Sequence, residues 1–381
     1  MADISNNLAA DKSEQLQKPQ QKIKISKKVL LFIIFADLLF LSGVYYFFFH
    51  SNSVSQSDSP ITRVVEKFND SEEISPTPFP FQEMTIPYLR AQKYQSKLGE
   101  MVTQSEGMNS PYSAFLTSYQ SDGLRINGLL TKPNSEMPEG GFPAIVFVHG
   151  YIPPASYSTL GPQYSDYVDY LSRSGFVVFK IDLRGHGDSE GEPGGAYYSA
   201  DYIADTLNAY SALQNSDFVN PESVGLWGHS MAGNVVLRSF VAKQDIPAIV
   251  IWSGAVYTYE DMRKYGIQDN SYQRPSEDSE RARERDRMRE VHGDPADGGE
   301  FWEMVAPTNY LSGISGAVQI NHAIDDNVVN IGYSRDLNSI LDKTDIPHEL
   351  NEYQSGGHNI TGISFNQAMN NTVKFFNRYL K

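Results

Sequence analysis

Short, continuously apolar runs that alternate with helical stripes predict an α/β fold for this chain, a mostly parallel twisted sheet with helices on both faces. Three observations carry that expectation. The runs Phe142 to Val148, Phe176 to Ile181 and Ala248 to Trp252 are apolar at nearly every position, as strands buried on both sides require. Stripes at helical spacing lie between them, with Tyr164, Tyr167, Val168 and Leu171 on one and Ile203, Leu207, Tyr210 and Leu213 on the next. Finally, Gly228-His229-Ser230-Met231-Ala232-Gly233 sits directly between the apolar run Val224 to Trp227 and an amphipathic run carrying Val235, Val236, Phe240 and Val241.

From the front, residues 1–28 are polar and read as a cytoplasmic tail. Residues 29–49 follow, 21 mostly Leu, Ile, Phe and Tyr positions, long enough to span a bilayer as a helix. Lys22, Lys24, Lys27 and Lys28 precede this run and no charged residue follows it until Asp58, which leaves the N-terminus cytoplasmic and the rest outside. A cleaved signal peptide is the rival, but no small-x-small site stands behind Phe49-His50-Ser51, so an uncleaved anchor is expected. Asp37 within the run costs about 2.5–3.5 kcal/mol if central and is assigned no function. Residues 50–81, rich in Ser, Pro and acidic side chains, read as a flexible linker, and 82–111 as an extension wrapping onto the globular domain.

Residues 112–381 suffice for one core without staples. The chain has no cysteine, so it needs no disulfide and has no Cys nucleophile. A formal net charge of −15 argues against nucleic acid as a partner, and no His/carboxylate cluster at ligand spacing suggests a metal; no cofactor is expected. The sequence leaves the oligomeric state open. Within the domain, Gly175 closes the first helical stripe, and the loop Asp182 to Ser189 reads as structural. A further strand is expected at Ala317 to Asn321 and another at Glu349 to Tyr353, with a closing helix through Phe365, Met369, Val373, Phe376 and Leu380.

The glycine-flanked serine carries the chemistry. A serine on a sharp strand-to-helix turn holds its hydroxyl clear of the sheet, with the next N–H facing a developing oxyanion, which makes Ser230 the candidate nucleophile. Ala232 stands where a glycine is usual, with Gly233 behind it. The partners of such a serine follow it in the order acid, then imidazole. Of eight histidines, His50, His149, His186 and His229 precede or adjoin Ser230, His292 lies in a charged insertion and His322 precedes the acid candidates. His348 opens a strand, whereas His358 follows Ser355-Gly356-Gly357 in a loop that lets the ring swing over the serine, so His358 is the candidate base. Asp325 and Asp326 compete for the acid, since each has a valine three residues on; whichever is not catalytic is expected to cap the following helix. His149-Gly150-Tyr151, after the first buried strand, supplies a second oxyanion donor in Tyr151 N–H beside Met231 N–H, on a loop stiffened by Pro153 and Pro154. His149 itself reads as a structural residue.

From about Tyr112 to Lys381 the chain resembles an α/β-hydrolase, and within that fold it is most similar to the catalytic domain of the prolyl oligopeptidase family. The matching stretches are Tyr119 to Leu124, the His149-Gly150 loop, the Asp182 to Gly187 loop, the serine turn, and Val318 through Val329. Ser230, Asp326 and His358 fall on the triad positions of that family. Its pattern H-G-x-x-D-x-x-V-P, laid from His322, places Asp326 at the acid, with Ala323 for Gly and Asn330 for Pro. The resemblance implies a serine-type peptidase acting on short peptides through an acyl-enzyme, and the apolar run 29–49 makes it a membrane-anchored one. The alternatives are a carboxylesterase with the same triad and a non-catalytic, hydrolase-like surface binding protein. Prolyl oligopeptidases usually carry a substrate-filtering β-propeller, for which there is no room here, so selection of a small peptide or ester falls to a lid insertion after the sixth strand, residues 257–311. Tyr257, Tyr259, Tyr265, Tyr272, Phe301 and Trp302 in the lid either line a pocket or simply pack, and Glu280 to Glu290, with its interleaved arginines, reads as a solvated helix.

Overall fold

The computed structural model describes residues 78–105 and 110–381. The expected tail, the span 29–49 and nearly all of the linker lie outside the described residues. Among the described residues, no helix is long and apolar enough to cross a membrane.

One nine-stranded sheet organises the domain, in the order β1-β2-β3-β5-β4-β6-β7-β8-β9. Strands β4 (Phe142–Val148), β5 (Val177–Ile181), β6 (Val219–His229), β7 (Ala248–Trp252), β8 (Ala317–Ala323) and β9 (His348–Tyr353) are parallel neighbours, so the expected mostly parallel sheet is present. The antiparallel part comes from β1 (Val102–Ser105), β2 (Tyr112–Ser121) and β3 (Leu124–Pro133).

Alternation along each central strand explains why the sheet is covered twice. In β4, Ala144, Val146 and Val148 enter one core with Ile203, Leu207, Val236 and Phe240, whereas Ile145 and Phe147 enter the other. Helices α2 (Ser165–Arg173) and α8 (Ile363–Leu380) fill the second face, while α3 (Asp201–Gln214) and α4 (Met231–Ala242) fill the first. The ring of Phe147 stacks on Trp227 at 4.0 Å between centroids, a contact that ties β4 to β6, the strand leading into the serine turn.

One correction follows. The insertion leaves the seventh strand, not the sixth, because the 82–111 extension contributes β1 at the sheet edge. The same extension supplies helix α1 (Ile86–Ala91), whose Ile86 and Leu89 join the main core and whose Arg90 donates to the Val241 and Tyr310 carbonyls. In the insertion, α5 (Tyr259–Tyr265), α6 (Glu280–His292) and α7 (Glu300–Val305) build a small core of their own from Met288, Phe301, Trp302 and Val305, closed by Met84 of the extension. Phe301 and Trp302 are therefore packing residues, not pocket walls, and the Glu280 run is the helix its spacing predicts.

Candidate active site

Ser230 follows the last residue of β6 and immediately precedes α4, at φ 56° and ψ −120°. Few non-glycine residues tolerate that backbone, and it persists because the surroundings fix it. Ser230 N–H donates to the Trp252 carbonyl at 2.8 Å, and its own carbonyl accepts from Gly233 N–H at 2.9 Å. Gly228 is obligatory, since a Cβ there would lie 2.6 Å from the Ala232 carbonyl oxygen. The methyl of Ala232 is accommodated within the core, and the close approach falls one residue later: a Cβ on Gly233 would sit 2.7 Å from Gly254 Cα.

The three expected side chains meet. His358 Nε2 lies 2.8 Å from Ser230 Oγ, and His358 Nδ1 lies 2.8 Å from Asp326 Oδ2. A proton on Nδ1 facing the carboxylate leaves Nε2 to accept from the serine hydroxyl, the polarity nucleophilic attack needs. The Asp326 side chain is 0% exposed, and its other oxygen accepts from Val328 N–H at 2.8 Å and Val329 N–H at 3.0 Å. Burial alone would push this carboxyl up, but the hydrogen bonds from His322 and His358 outweigh it and hold Asp326 well below the usual carboxylate range.

Asp325 is not the acid, and it does not cap the following helix either. Its carboxylate accepts from Gly357 N–H at 2.8 Å and Gly356 N–H at 3.3 Å, strapping down the loop that carries the base. A Cβ on Gly356 would come within 2.9 Å of Ile360 Cα, so the loop closes on itself as the two glycines suggest.

Sequence reasoning missed His322. It is fully buried, its Nε2 lies 3.1 Å from Asp326 Oδ2 and 3.0 Å from the Val329 carbonyl oxygen, and its Nδ1 lies 2.7 Å from Ser334 Oγ. Because both partners of Nε2 only accept, that nitrogen carries the proton and the ring serves as a second donor to the acid. The signal was the H-x-x-x-D spacing itself, which brings the ring at the end of β8 back onto the turn after it.

On the oxyanion side, Met231 N–H opens α4, where an amide has no acceptor within its own helix and the helix dipole favours negative charge. Tyr151 lines the same cavity as Ser230 and His358. That cavity holds about 370 Å³. Its roof is a short stretch of the insertion, held to the acid loop by Gln268 N–H to the Val328 carbonyl at 2.8 Å and to the oxyanion loop by Gln273 N–H to Tyr151 Oη at 3.0 Å. Between those two anchors, Asp269 and Ser271 face the cavity, and Tyr272 meets Tyr151 edge to face.

The remaining candidates are structural. His149 is fully buried, with its ring nitrogens 2.7 Å and 3.1 Å from the Gly150 and Asp182 carbonyl oxygens, and burial pushes it down to about 3. In the following loop, Asp182 accepts from Tyr157 and Thr159, and Arg184 donates to Asp205, Asp201 and Asp122. His348 stays at the surface beside Asp342.

Residues 143–270 match the Hydrolase_4 family model, described as Serine aminopeptidase, S33. A curated relative, the thiohydrolase aneE of Aspergillus aculeatus, is 30% identical over 112 residues, which are 29% of this chain and 32% of the relative, so the chain spans about a third of that protein. Among solved structures, acetyl xylan esterase 1 of Thermoanaerobacterium sp. shares the fold at a TM-score of 0.55 and 18% identity, over 80% of this chain and 96% of that one. A puromycin-hydrolysing peptidase of Mycobacterium tuberculosis does so at 0.56 and 17% identity, over 72% of this chain and 41% of that one. A strained serine between strand and helix, hydrogen-bonded through an imidazole to a buried carboxylate, thus lies within the 143–270 stretch that is similar to the Serine aminopeptidase, S33 model, in a chain that shares its fold with esterases and peptidases.

Proposed function

We propose that the protein is a membrane-tethered serine peptidase that cleaves short peptides through an acyl-enzyme. The observation that carries the hydrolytic part is the unbroken hydrogen-bond chain from Ser230 Oγ through His358 to Asp326. Ser230 Oγ attacks the substrate carbonyl carbon as His358 Nε2 takes the hydroxyl proton, Asp326 stabilises the imidazolium, and the Met231 and Tyr151 amides face the oxyanion. Collapse of the tetrahedral intermediate breaks the scissile bond, and His358 returns the proton to the leaving amine. Water then enters, gives a proton to His358 and releases the acid, and Ser230 regains its hydrogen.

The peptide preference rests on the peptidase likenesses and on the cavity. Among the described residues its lining holds no lysine or arginine, and Asp269 is the one carboxylate directly on it. A neutral or amine-bearing acyl part suits such a wall better than an anionic one. The membrane tether rests on the apolar run at 29–49 and its preceding lysines, with the catalytic domain on the far side of the membrane from the N-terminus.

A carboxylesterase is the second reading, favoured by coverage: the chain accounts for 96% of the acetyl xylan esterase but 41% of the peptidase. Turnover of peptide amides and of p-nitrophenyl esters by the purified full chain decides between them. The peptidase reading expects amide cleavage with release of a free amine, and ester turnover with no amide cleavage would reject it. Labelling by a fluorophosphonate, present in the wild type and absent in Ser230→Ala, tests the hydrolase reading itself.

A further inference from the structure

We propose that His229, the residue just before the nucleophile, is a positioning residue that ties the oxyanion loop to the main chain of the base in one fixed tautomer, with Tyr164 as the intermediate link. This role presupposes the serine-hydrolase reading of Ser230.

Four groups form an unbroken chain. Gly150 N–H donates to Tyr164 Oη at 2.9 Å, Tyr164 Oη lies 2.8 Å from His229 Nδ1, and His229 Nε2 lies 2.9 Å from the carbonyl oxygen of His358. The direction of every proton is forced. An amide N–H only donates, and a carbonyl only accepts, so the two ends fix the middle. Nε2 must carry the His229 proton, and Nδ1, bare in a neutral ring, accepts the tyrosine proton. Burial, reinforced by the neighbouring His358, pushes His229 down to about 3, which favours the neutral ring that the two ends of the chain require.

Neutrality matters for the reaction. The His229 and His358 rings lie 4.6 Å apart between centroids, and His358 becomes a cation during attack. A protonated His229 would oppose that charge, whereas the neutral, Nε2-protonated ring does not. The local chain is shaped for the contact: Tyr164 sits at φ 64° before α2, and a Cβ on Gly150 would lie 2.7 Å from Tyr164 Oη and 3.1 Å from His229 Nδ1. One buried side chain thus fixes the loop after β4, the start of α2 and the loop after β9 relative to Ser230. An ordinary core histidine needs only to be satisfied. This one joins the donor loop and the base loop, the two segments whose spacing sets the attack geometry.

The test compares His229→Leu, which keeps bulk and removes both bonds, with His229→Gln, whose amide offers one donor and one acceptor. Tyr164→Phe and the Tyr164→Phe/His229→Leu double variant complete the set, all in the full chain with p-nitrophenyl acetate. His229→Leu is expected to lower kcat ~100-fold with KM within about threefold, and Gln to recover ~10-fold of that. The double variant should lose no more than the worse single, because the links act as one unit. A kcat within about threefold of wild type for His229→Leu, no rescue by Gln, or additive losses would each overturn the role. If His229→Leu fails to fold, Tyr164→Phe decides alone, an unchanged kcat overturning the proposal. A proton-nitrogen spectrum of histidine-labelled wild type reads the tautomer without turnover: a proton on Nδ1 of His229 defeats the strut even if the enzyme is active. Failure of the wild type to label with fluorophosphonate defeats the hydrolase reading instead.

Discussion

Two adjacent aspartates divide one task between them. Asp326, sealed from solvent, orients the base ring, while exposed Asp325 holds the glycine amides behind that ring. Their removal should differ by orders of magnitude. Asp326→Asn is expected to lower kcat ~10⁴-fold, because an amide favours the wrong tautomer of His358. Asp325→Ala loosens only the loop, and a ~10-fold loss is expected. Steady-state kinetics on both variants checks the assignment, and a reversed order would exchange the roles. The same acid sets a pH limit. Its carboxyl is depressed in the folded protein, so the stability it contributes is present above the ordinary carboxylate range and is lost as pH falls toward the lower folded value. His322→Leu removes one of the two imidazole donors and raises that folded value, so acid unfolding should begin at higher pH than in wild type, as circular dichroism at stepped pH would show. The serine and the base could be read from sequence because a turn motif and a chain order single them out. The acid could not be resolved on residues alone, since both aspartates fit the same spacing and only burial separates them. His322 was passed over because a rule about bases says nothing of a second imidazole on the acid.

At the scale of the elements, the serine turn depends on how closely α4 approaches β7. The usual small residue two positions after the nucleophile is Ala232 here, and its methyl fits; the tight contact is Gly233 against Gly254 and Ile251. Gly233→Ala is therefore expected to destabilise the fold by about 1–3 kcal/mol through overpacking. Ala232→Gly should cost about 0.5–1 kcal/mol from helix backbone entropy while leaving kcat within about twofold. Urea denaturation of both variants gives the comparison, and a stabilising Ala232→Gly would mean the methyl strains the turn after all. Strands β4 and β7 were legible to the residue because burial on both faces leaves a continuous apolar run. Hairpin β2–β3 was not, because its strands mix half-buried polar positions with apolar ones. A turn signal was nevertheless present: Asp122-Gly123 carries positive φ at both residues, the geometry of a two-residue hairpin loop.

Across the whole domain, the insertion is held from below by the segment that leads in from the N-terminal side. Met84, 1% exposed, packs with Met288, Phe301, Trp302 and Val305, and the buried guanidinium of Arg238 donates to the Met84, Ala196 and Ser199 carbonyls. His292, stacked on Phe301 with 3.8 Å between ring centroids, donates to the Pro80 carbonyl at 2.8 Å. The roof of the cavity belongs to this same insertion, so the packing of the extension and the shape of the substrate site are mechanically joined. Composition alone marked residues 78–91 as linker and extension, because the partners of Phe79, Phe81 and Met84 lie some two hundred residues away and no local period announces them. Met84→Ala opens this small core and should cost about 2–5 kcal/mol, spent locally because the main core shares few of these contacts. Trypsin should then cut at the arginines of α6 at least ~10-fold faster while the rest of the domain stays intact, and KM should rise with kcat little changed as the roof loses its support. Mass spectrometry of the limited digest locates the cut. Cleavage at the wild-type rate with an unaltered KM would show that the insertion stands without the extension beneath it.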